Sequence, residues 1–100
     1  MNKLRTLVTA KELYQQCKNL RLKFYAKDQL CRAALSVCLN LAEGDARKNQ
    51  RDRIKFFNIA FASLREVQAL LWVENISSLE KIADHCAAQI YKLINAKRDT

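Results

Sequence analysis

The chain has 100 residues, of which 50% are hydrophobic and 28% are charged, with no proline and one glycine. This length predicts one domain over residues 1–100, and the scarcity of turn residues excludes an all-β domain and the glycine-rich loops that bind nucleotides. The longest apolar runs fall far short of the roughly 20 residues that span a bilayer. Charge returns at Lys11 and Glu12, too early for a signal peptide, so we expect a cytoplasmic protein.

The formal net charge is +8, from 18 basic and 10 acidic side chains. Such an excess suits a polyanionic partner, namely RNA, DNA or an anionic membrane surface, although a basic surface without any partner has the same composition. The excess is concentrated in two segments: residues 1–27 carry seven basic side chains and one acidic one, and residues 47–55 carry five and one. We expect these segments to supply a binding surface, and the nearly neutral residues 66–100 to be structural.

Apolar residues recur with the helical period along four segments. The first predicted helix covers residues 3–18, and a short connection at 19–23 follows it. The second covers residues 26–43 and ends before Gly44, since glycine is common just after a helix C-terminus. The residues predicted to be buried are Leu4, Leu7, Val8, Tyr14 and Cys17 in the first helix and Leu30, Ala34, Val37, Cys38 and Leu41 in the second.

The third and fourth predicted helices have capping signals at their ends. The third begins at Asn49, a favourable N-cap residue, and extends to Glu74, with Asn75 as its C-terminal cap. Ser77 and Glu80 match a capping box at the start of the fourth helix. The apolar stripe of the fourth helix consists of Leu79, Ile82, Ala83, Cys86, Ile90, Leu93 and Ile94.

Helices joined by short turns predict an all-α fold, an antiparallel up-down-up-down four-helix bundle. In this topology the N-terminus, the turn between the second and third helices and the C-terminus meet at one end. Lys97 and Arg98 lie there with the residues that we predict to contact nucleic-acid phosphates, namely Lys3, Arg5, Arg47, Lys48, Arg51, Arg53 and Lys55. Free backbone N–H groups in the first turn of the third helix also favour anions at this end.

The third helix has apolar residues on two arcs. Its core arc consists of Phe57, Ala60, Leu64, Val67 and Leu71. A second arc carries Ile54, Phe61 and Trp72, and a bundle helix needs only one apolar stripe. The second arc therefore predicts a subunit interface of a homo-oligomer, unless a wide core accommodates both arcs.

The second helix has the opposite feature, a continuous polar face. This face consists of Gln29, Arg32, Ser36, Asn40, Glu43 and Arg47. Several of its members are four residues apart and so can bond one another along the helix. The face is either solvated or a polar seam between subunits.

Groups with catalytic or metal-binding chemistry are scarce. The four cysteines, Cys17, Cys31, Cys38 and Cys86, form no C-x-x-C pair, so we expect small core residues rather than zinc ligands or disulfides. No Glu-x-x-His motif is present, and His85 is the only histidine. Glu43 and Glu66 could meet across helices as a carboxylate pair, but nothing else near them suggests acid–base chemistry. We therefore expect no enzyme activity, no metal and no cofactor.

Two segments resemble a known family. QLCRAALSVCLNLAEGDAR at residues 29–47 and FFNIAFASLREVQALL at 56–71 resemble two ordered motifs of the 23S rRNA intervening-sequence protein family. The departures are small: Ala62 stands where the family usually has glycine, and Val37 and Leu41 replace isoleucines. The positions that match the polar signature of the family are Arg32, Ser36, Asn40, Glu43, Arg47, Ser63 and Glu66. The resemblance does not say whether they serve assembly or binding.

The resemblance implies a bacterial homopentamer of four-helix bundles, often described as ribosomal-protein-like, whose gene lies within an intervening sequence of a 23S rRNA gene. It also implies a relation to the accessory protein of diversity-generating retroelements, a basic pentamer that binds nucleic acid and a reverse transcriptase.

Together these observations favour a non-enzymatic, basic, homo-oligomeric protein that binds nucleic acid, in particular structured RNA, through phosphate contacts. The basic segments contain few aromatic residues that we expect to be exposed, so base stacking is not evident. The rival interpretation is a protein-interaction scaffold with no nucleic-acid role, in which the polar face of the second helix recognises a protein partner. We expect no membrane association in either case.

Overall fold

The computed structural model describes residues 3–96, with side chains from Arg5 onward. Within that range the chain forms helices and no strands: α1 (Lys3–Lys18), α2 (Phe24–Ala46), α3 (Gln50–Val73) and α4 (Glu80–Asn95). Each helix packs against its neighbour in sequence, and α4 also packs against α1, so the helices form a closed ring. The predicted all-α four-helix bundle is confirmed.

The bundle has two ends that differ in their connections. Residues 47–49 join α2 to α3 at one end, which we call the turn end. Residues 19–23 and 74–79 join the other helices at the opposite end, which we call the loop end. At the loop end Leu20, Leu22 and Ile76 pack against the core and close it. The bundle measures 48 × 20 × 19 Å.

Gly44 lies inside α2, and the prediction that the helix ends before it is wrong. The helix begins at Phe24 and continues to Ala46. A Cβ atom on Gly44 would lie 2.6 Å from Cε1 of Phe57 and 3.2 Å from the carbonyl oxygen of Arg53. The glycine is therefore explained by the close approach of α3 and not by helix termination.

The predicted caps of α3 are confirmed at both ends. Oδ1 of Asn49 accepts hydrogen bonds from the backbone N–H groups of Arg51 and Asp52, at 2.8 and 3.3 Å. At the C-terminus Asn75 has a φ of 57°, the left-handed conformation. The N–H groups of Asn75 and Ile76 donate to the carbonyls of Trp72 and Leu71, which is a Schellman motif.

The capping box predicted for α4 does not form. The N-cap residue is Leu79, and no side chain caps the helix there. Ser77 instead lies in the turn before the helix, where its carbonyl accepts a hydrogen bond from the N–H of Glu80 at 3.2 Å. Leu79, the N-cap residue, is instead buried in the core.

The core arc predicted for α3 is entirely buried, whereas the prediction for α1 is partly wrong. Val8 is 56% exposed, and Ala10 and Leu13 are fully buried instead. Two threonines, Thr6 and Thr9, share the buried face of α1, so its apolar periodicity is weak in the sequence. No helix within residues 3–96 is both long and apolar enough to span a membrane.

Candidate nucleic-acid interface

The turn end gathers the cations predicted to contact phosphates. Arg47 and Lys48 lie in the connection, and Arg51, Arg53 and Lys55 lie in the first turns of α3. All of these side chains are exposed except Arg53, which is half-buried. Arg5 is exposed on the first turns of α1, which begins at this end. The side chains of Lys3, Lys97 and Arg98 lie outside the described residues.

Arg47 is the most constrained of these cations. Its Nη2 atom lies 2.6 Å from Oε2 of Glu43, one helical turn back. Its guanidinium carbon lies 4.9 Å from the ring centroid of Phe56, and Nζ of Lys55 lies 6.0 Å from the same centroid. The Phe56 ring is thus half-buried and has two cations close to it.

Lys48 and Arg51 are the cations best placed to meet a polyanion. Within the described residues neither forms an ion pair. The expectation of free N–H groups beside them is wrong in part, because the Asn49 side chain accepts from the N–H groups of Arg51 and Asp52. The turn end therefore offers an anion its basic side chains rather than these two backbone N–H groups.

The polar face of α2 lies along its contact with α3. Nε2 of Gln29 donates to Oε2 of Glu66 at 3.0 Å, and the hydroxyls of Ser36 and Ser63 are 2.8 Å apart. Nδ2 of Asn40 donates to the carbonyl and to the hydroxyl of Ser36 at 2.9 and 3.1 Å. Two of the six members of the polar face, Gln29 and Ser36, therefore bond α2 to α3 within one chain, and Asn40 bonds Ser36 within α2.

The remaining members of the polar face pair along α2. Arg32 does not bond Ser36 but pairs with Asp28, at 2.9 Å. Glu43 pairs with Arg47, and Glu66 bonds Gln29, which lies about 21 Å along the helix from Glu43. The carboxylates of Glu43 and Glu66 therefore do not meet, and no acid–base pair forms between them.

The second apolar arc of α3 is partly covered by α4. The ring centroids of Phe61 and Tyr91 are 6.3 Å apart, and the Arg65 guanidinium lies 5.7 Å from the Phe61 ring. Phe61 and Ile54 are half-buried, whereas Trp72 is 81% exposed. Of the three residues predicted for a subunit interface, Trp72 is thus the one with a bare side chain.

A groove between α1 and α2 was not found from the sequence. Its cavity has a volume of about 400 Å³ and an apolar floor that includes Leu7, Tyr14 and Leu35. Leu39, which is 59% exposed, forms part of its wall, and Val8 is exposed on the same helix as Leu7. The sequence does contain a signal for this groove: Leu35 and Leu39 are four residues apart, on one face of α2 and outside its predicted buried stripe.

The loop end exposes aromatic rings that sequence reasoning missed. Phe24 and Tyr25 form the first turn of α2 and are 84% and 68% exposed. They follow directly on Lys23, within the basic segment 1–27. The expectation that exposed aromatic residues are scarce in the basic segments is therefore wrong at this end of the bundle.

The cysteines are free thiols. Burial raises the pKa of Cys17 and of Cys86 to about 12, and it also raises the pKa of Cys31 and Cys38. The thiols are therefore protonated at neutral pH, and a protonated thiol is a poor nucleophile and a poor metal ligand. Within the described residues no cluster of three metal-binding side chains occurs.

Comparison with known proteins gives one match. No curated protein and no solved structure is significantly similar to the chain. The sequence profile of the family described as 23S rRNA-intervening sequence protein matches residues 4–98, which include all of α2, α3 and α4. The two motifs that resemble this family lie on α2 and α3, the helices joined by the Gln29–Glu66 and Ser36–Ser63 hydrogen bonds. The chain therefore belongs to the 23S rRNA-intervening sequence protein family.

Proposed function

We propose that this protein is a non-enzymatic homo-oligomer that binds nucleic acid, structured RNA in particular, through phosphate contacts at its turn end. The observation that carries the proposal is the cluster of cations around the α2–α3 connection. The five basic side chains of residues 47–55 outnumber the three nearby acids, Glu43, Asp45 and Asp52, and Glu43 is already paired with Arg47. The cluster therefore presents a net positive charge, whose attraction for phosphates depends on counterion release rather than on base sequence.

Assembly would strengthen such binding, because each copy adds its own cluster of cations. Support for assembly comes from apolar side chains that the chain leaves exposed, namely Val8, Leu39 and Trp72. Monomers seldom expose large apolar patches. We expect light scattering at micromolar concentration to give a mass well above the 11.6 kDa of one chain, and close to that of five copies if this chain assembles as the family resemblance implies. A monomer would contradict this part of the proposal.

The binding proposal is tested by titrating the protein with its own rRNA insert and with a duplex of scrambled sequence at several salt concentrations. The test variant is Lys48→Glu with Arg51→Glu, and the matched control is Lys81→Glu with Lys92→Glu on α4. All four side chains are exposed, so we expect both variants to fold. The test variant should bind more weakly, and its salt dependence should be shallower by about one unit of slope for each phosphate that the variant no longer neutralises.

Two outcomes would contradict the proposed site. Equal losses in the two variants would mean that net charge matters and that the turn end is not a localised site. Absence of binding by the unmodified protein near physiological salt would favour the rival function, a scaffold for a protein partner.

A further inference from the structure

The first turn of α2 exposes two neighbouring aromatic rings at the loop end, Phe24 and Tyr25. Successive helix residues point about 100° apart, so the two rings face different sides of this end. No cation of the described residues lies over either ring, whereas Arg47 and Lys55 lie over Phe56. A partner that removes an exposed phenylalanine ring from water lowers the free energy of the system, so burial of the ring favours binding.

The Phe24 ring borders a recess with a volume of about 340 Å³. Lys27, Asp28 and Cys31 complete its lining. Burial raises the pKa of the Cys31 thiol, and the ammonium groups of Lys27 and Lys18 act against this shift, so both cations lie near the recess. Lys18 belongs to the last turn of α1, where its Nζ atom lies 5.4 Å from the Tyr14 ring.

The cations around this recess have no acidic partner among the described residues. Asp28, the carboxylate in the recess, is paired with Arg32 at 2.9 Å. Within the described residues Lys18, Lys27, Arg21 and Lys23 have no carboxylate within ion-pair distance. The loop end therefore joins bare aromatic faces to unpaired positive charge, which is complementary to a polyanion that also carries flat apolar rings.

Nucleic acid with unpaired bases has this chemistry. Bases within a duplex are stacked on one another, so an aromatic side chain reaches them only in single strands, loops and bulges. We propose that the loop end is a second nucleic-acid site, in which Phe24 stacks on an unpaired base and Lys18 and Lys27 hold its phosphates, with Tyr25 as a second stacking ring. This second site rests on the proposed function because its ligand is nucleic acid, but it lies at the other end of the bundle and binds unpaired rather than duplex nucleic acid.

The test compares a short single-stranded oligouridine with a duplex RNA of the same length. Phe24→Ala should weaken oligouridine binding at least about fivefold, the lower range for loss of one stacked base. Phe24→Trp should restore it, and Tyr91→Ala, which removes an exposed ring on α4, is the matched control. Duplex binding should be unchanged in Phe24→Ala and lowered in the Lys48→Glu, Arg51→Glu variant. Circular dichroism and light scattering verify that each variant keeps its fold and mass.

Failure of this inference is distinguishable from failure of the proposed function. Duplex binding without oligouridine binding would overturn the second site alone, and so would unchanged oligouridine affinity in Phe24→Ala. A lower oligomer mass for Phe24→Ala would assign the ring to a subunit contact and overturn its role in stacking. If Lys27→Glu binds oligouridine and duplex RNA as tightly as the unmodified protein, Lys27 makes no phosphate contact at this site.

Discussion

The two ends of the bundle contain the same types of residue in different arrangements. At the turn end Arg47 and Lys55 lie over the ring of Phe56, and Lys48 and Arg51 are exposed. At the loop end the rings of Phe24 and Tyr25 are bare, and the lysines flank them. The turn end thus offers charge without accessible rings, and the loop end offers both.

The difference follows from where each ring lies in its helix. Phe56 is in the second turn of α3, within reach of residues that precede and adjoin it. Phe24 is the first residue of α2, so no preceding helical turn covers it. Phe24 is therefore exposed because it begins its helix, whereas Phe56, one turn further into its helix, has cations of the connection and of α3 close to it.

Of the substitutions that distinguish the two ends, we expect Gly44→Ala to have the largest effect on stability and binding. The added Cβ would overlap the buried Phe57 ring at 2.6 Å. Overpacking of this kind costs roughly 1–3 kcal/mol, partly offset by the roughly 1 kcal/mol gained when alanine replaces a helical glycine. We expect a lower free energy of unfolding in urea at fixed protein concentration, and a larger loss of duplex than of oligouridine affinity, because α2 and α3 separate at the turn end.

Phe57→Leu in the same chain is the control for Gly44→Ala, because it removes the ring atoms that the new methyl group meets. The double variant should be more stable than the sum of the two single losses predicts. Additive losses would show that the helices do not meet through this pair.

We expect smaller changes in stability from substitutions at the helix N-caps, which differ between the two ends. Asn49 caps α3 through its side chain, whereas Lys23 at the start of α2 forms no side-chain cap. We expect Asn49→Ala to lower the free energy of unfolding by about 1 kcal/mol, and Lys23→Asp to raise it by about 0.5–1 kcal/mol. Thermal or urea unfolding at fixed protein concentration measures both changes.

Lys23→Asp also separates stability from binding. If the loop end is a nucleic-acid site, this variant should bind oligouridine more weakly although it is more stable. Asn49→Ala should leave oligouridine binding unchanged. A Lys23→Asp variant that is more stable but binds oligouridine with unchanged affinity would show that this lysine lies outside the site.

Sequence patterns predict those parts of the structure that depend on local periodicity and capping. The core arc of α3 and the caps at Asn49 and Asn75 are of this kind, and the structure confirms them. Gly44 was misinterpreted because its contact with Phe57 joins two helices and has no local signature. In α1, Thr6 and Thr9 occupy buried positions and disguise the register, so Val8 was wrongly placed in the core.

The candidate site divides in the same way. The cations of the turn end were predictable because the topology brings the connection and the first turns of α3 together. The pairing of Arg47 with Glu43 follows from their four-residue spacing, but its contact with Phe56 does not. The loop-end rings were missed because α2 begins two residues before the predicted start, and those two residues are Phe24 and Tyr25.

The threonines on the buried face of α1 have a counterpart on α4. Gln89 is 4% exposed, and its Oε1 atom finds no hydrogen-bond partner among the described residues. It lies well round α4 from Asp84 and Tyr91, which contact α3, and so faces α1. The contact between α1 and α4 thus buries an amide oxygen that has no partner among the described residues, and it joins the helices farthest apart in sequence. We expect hydrogen exchange to show α1 opening first, with α2 and α3 protected longest.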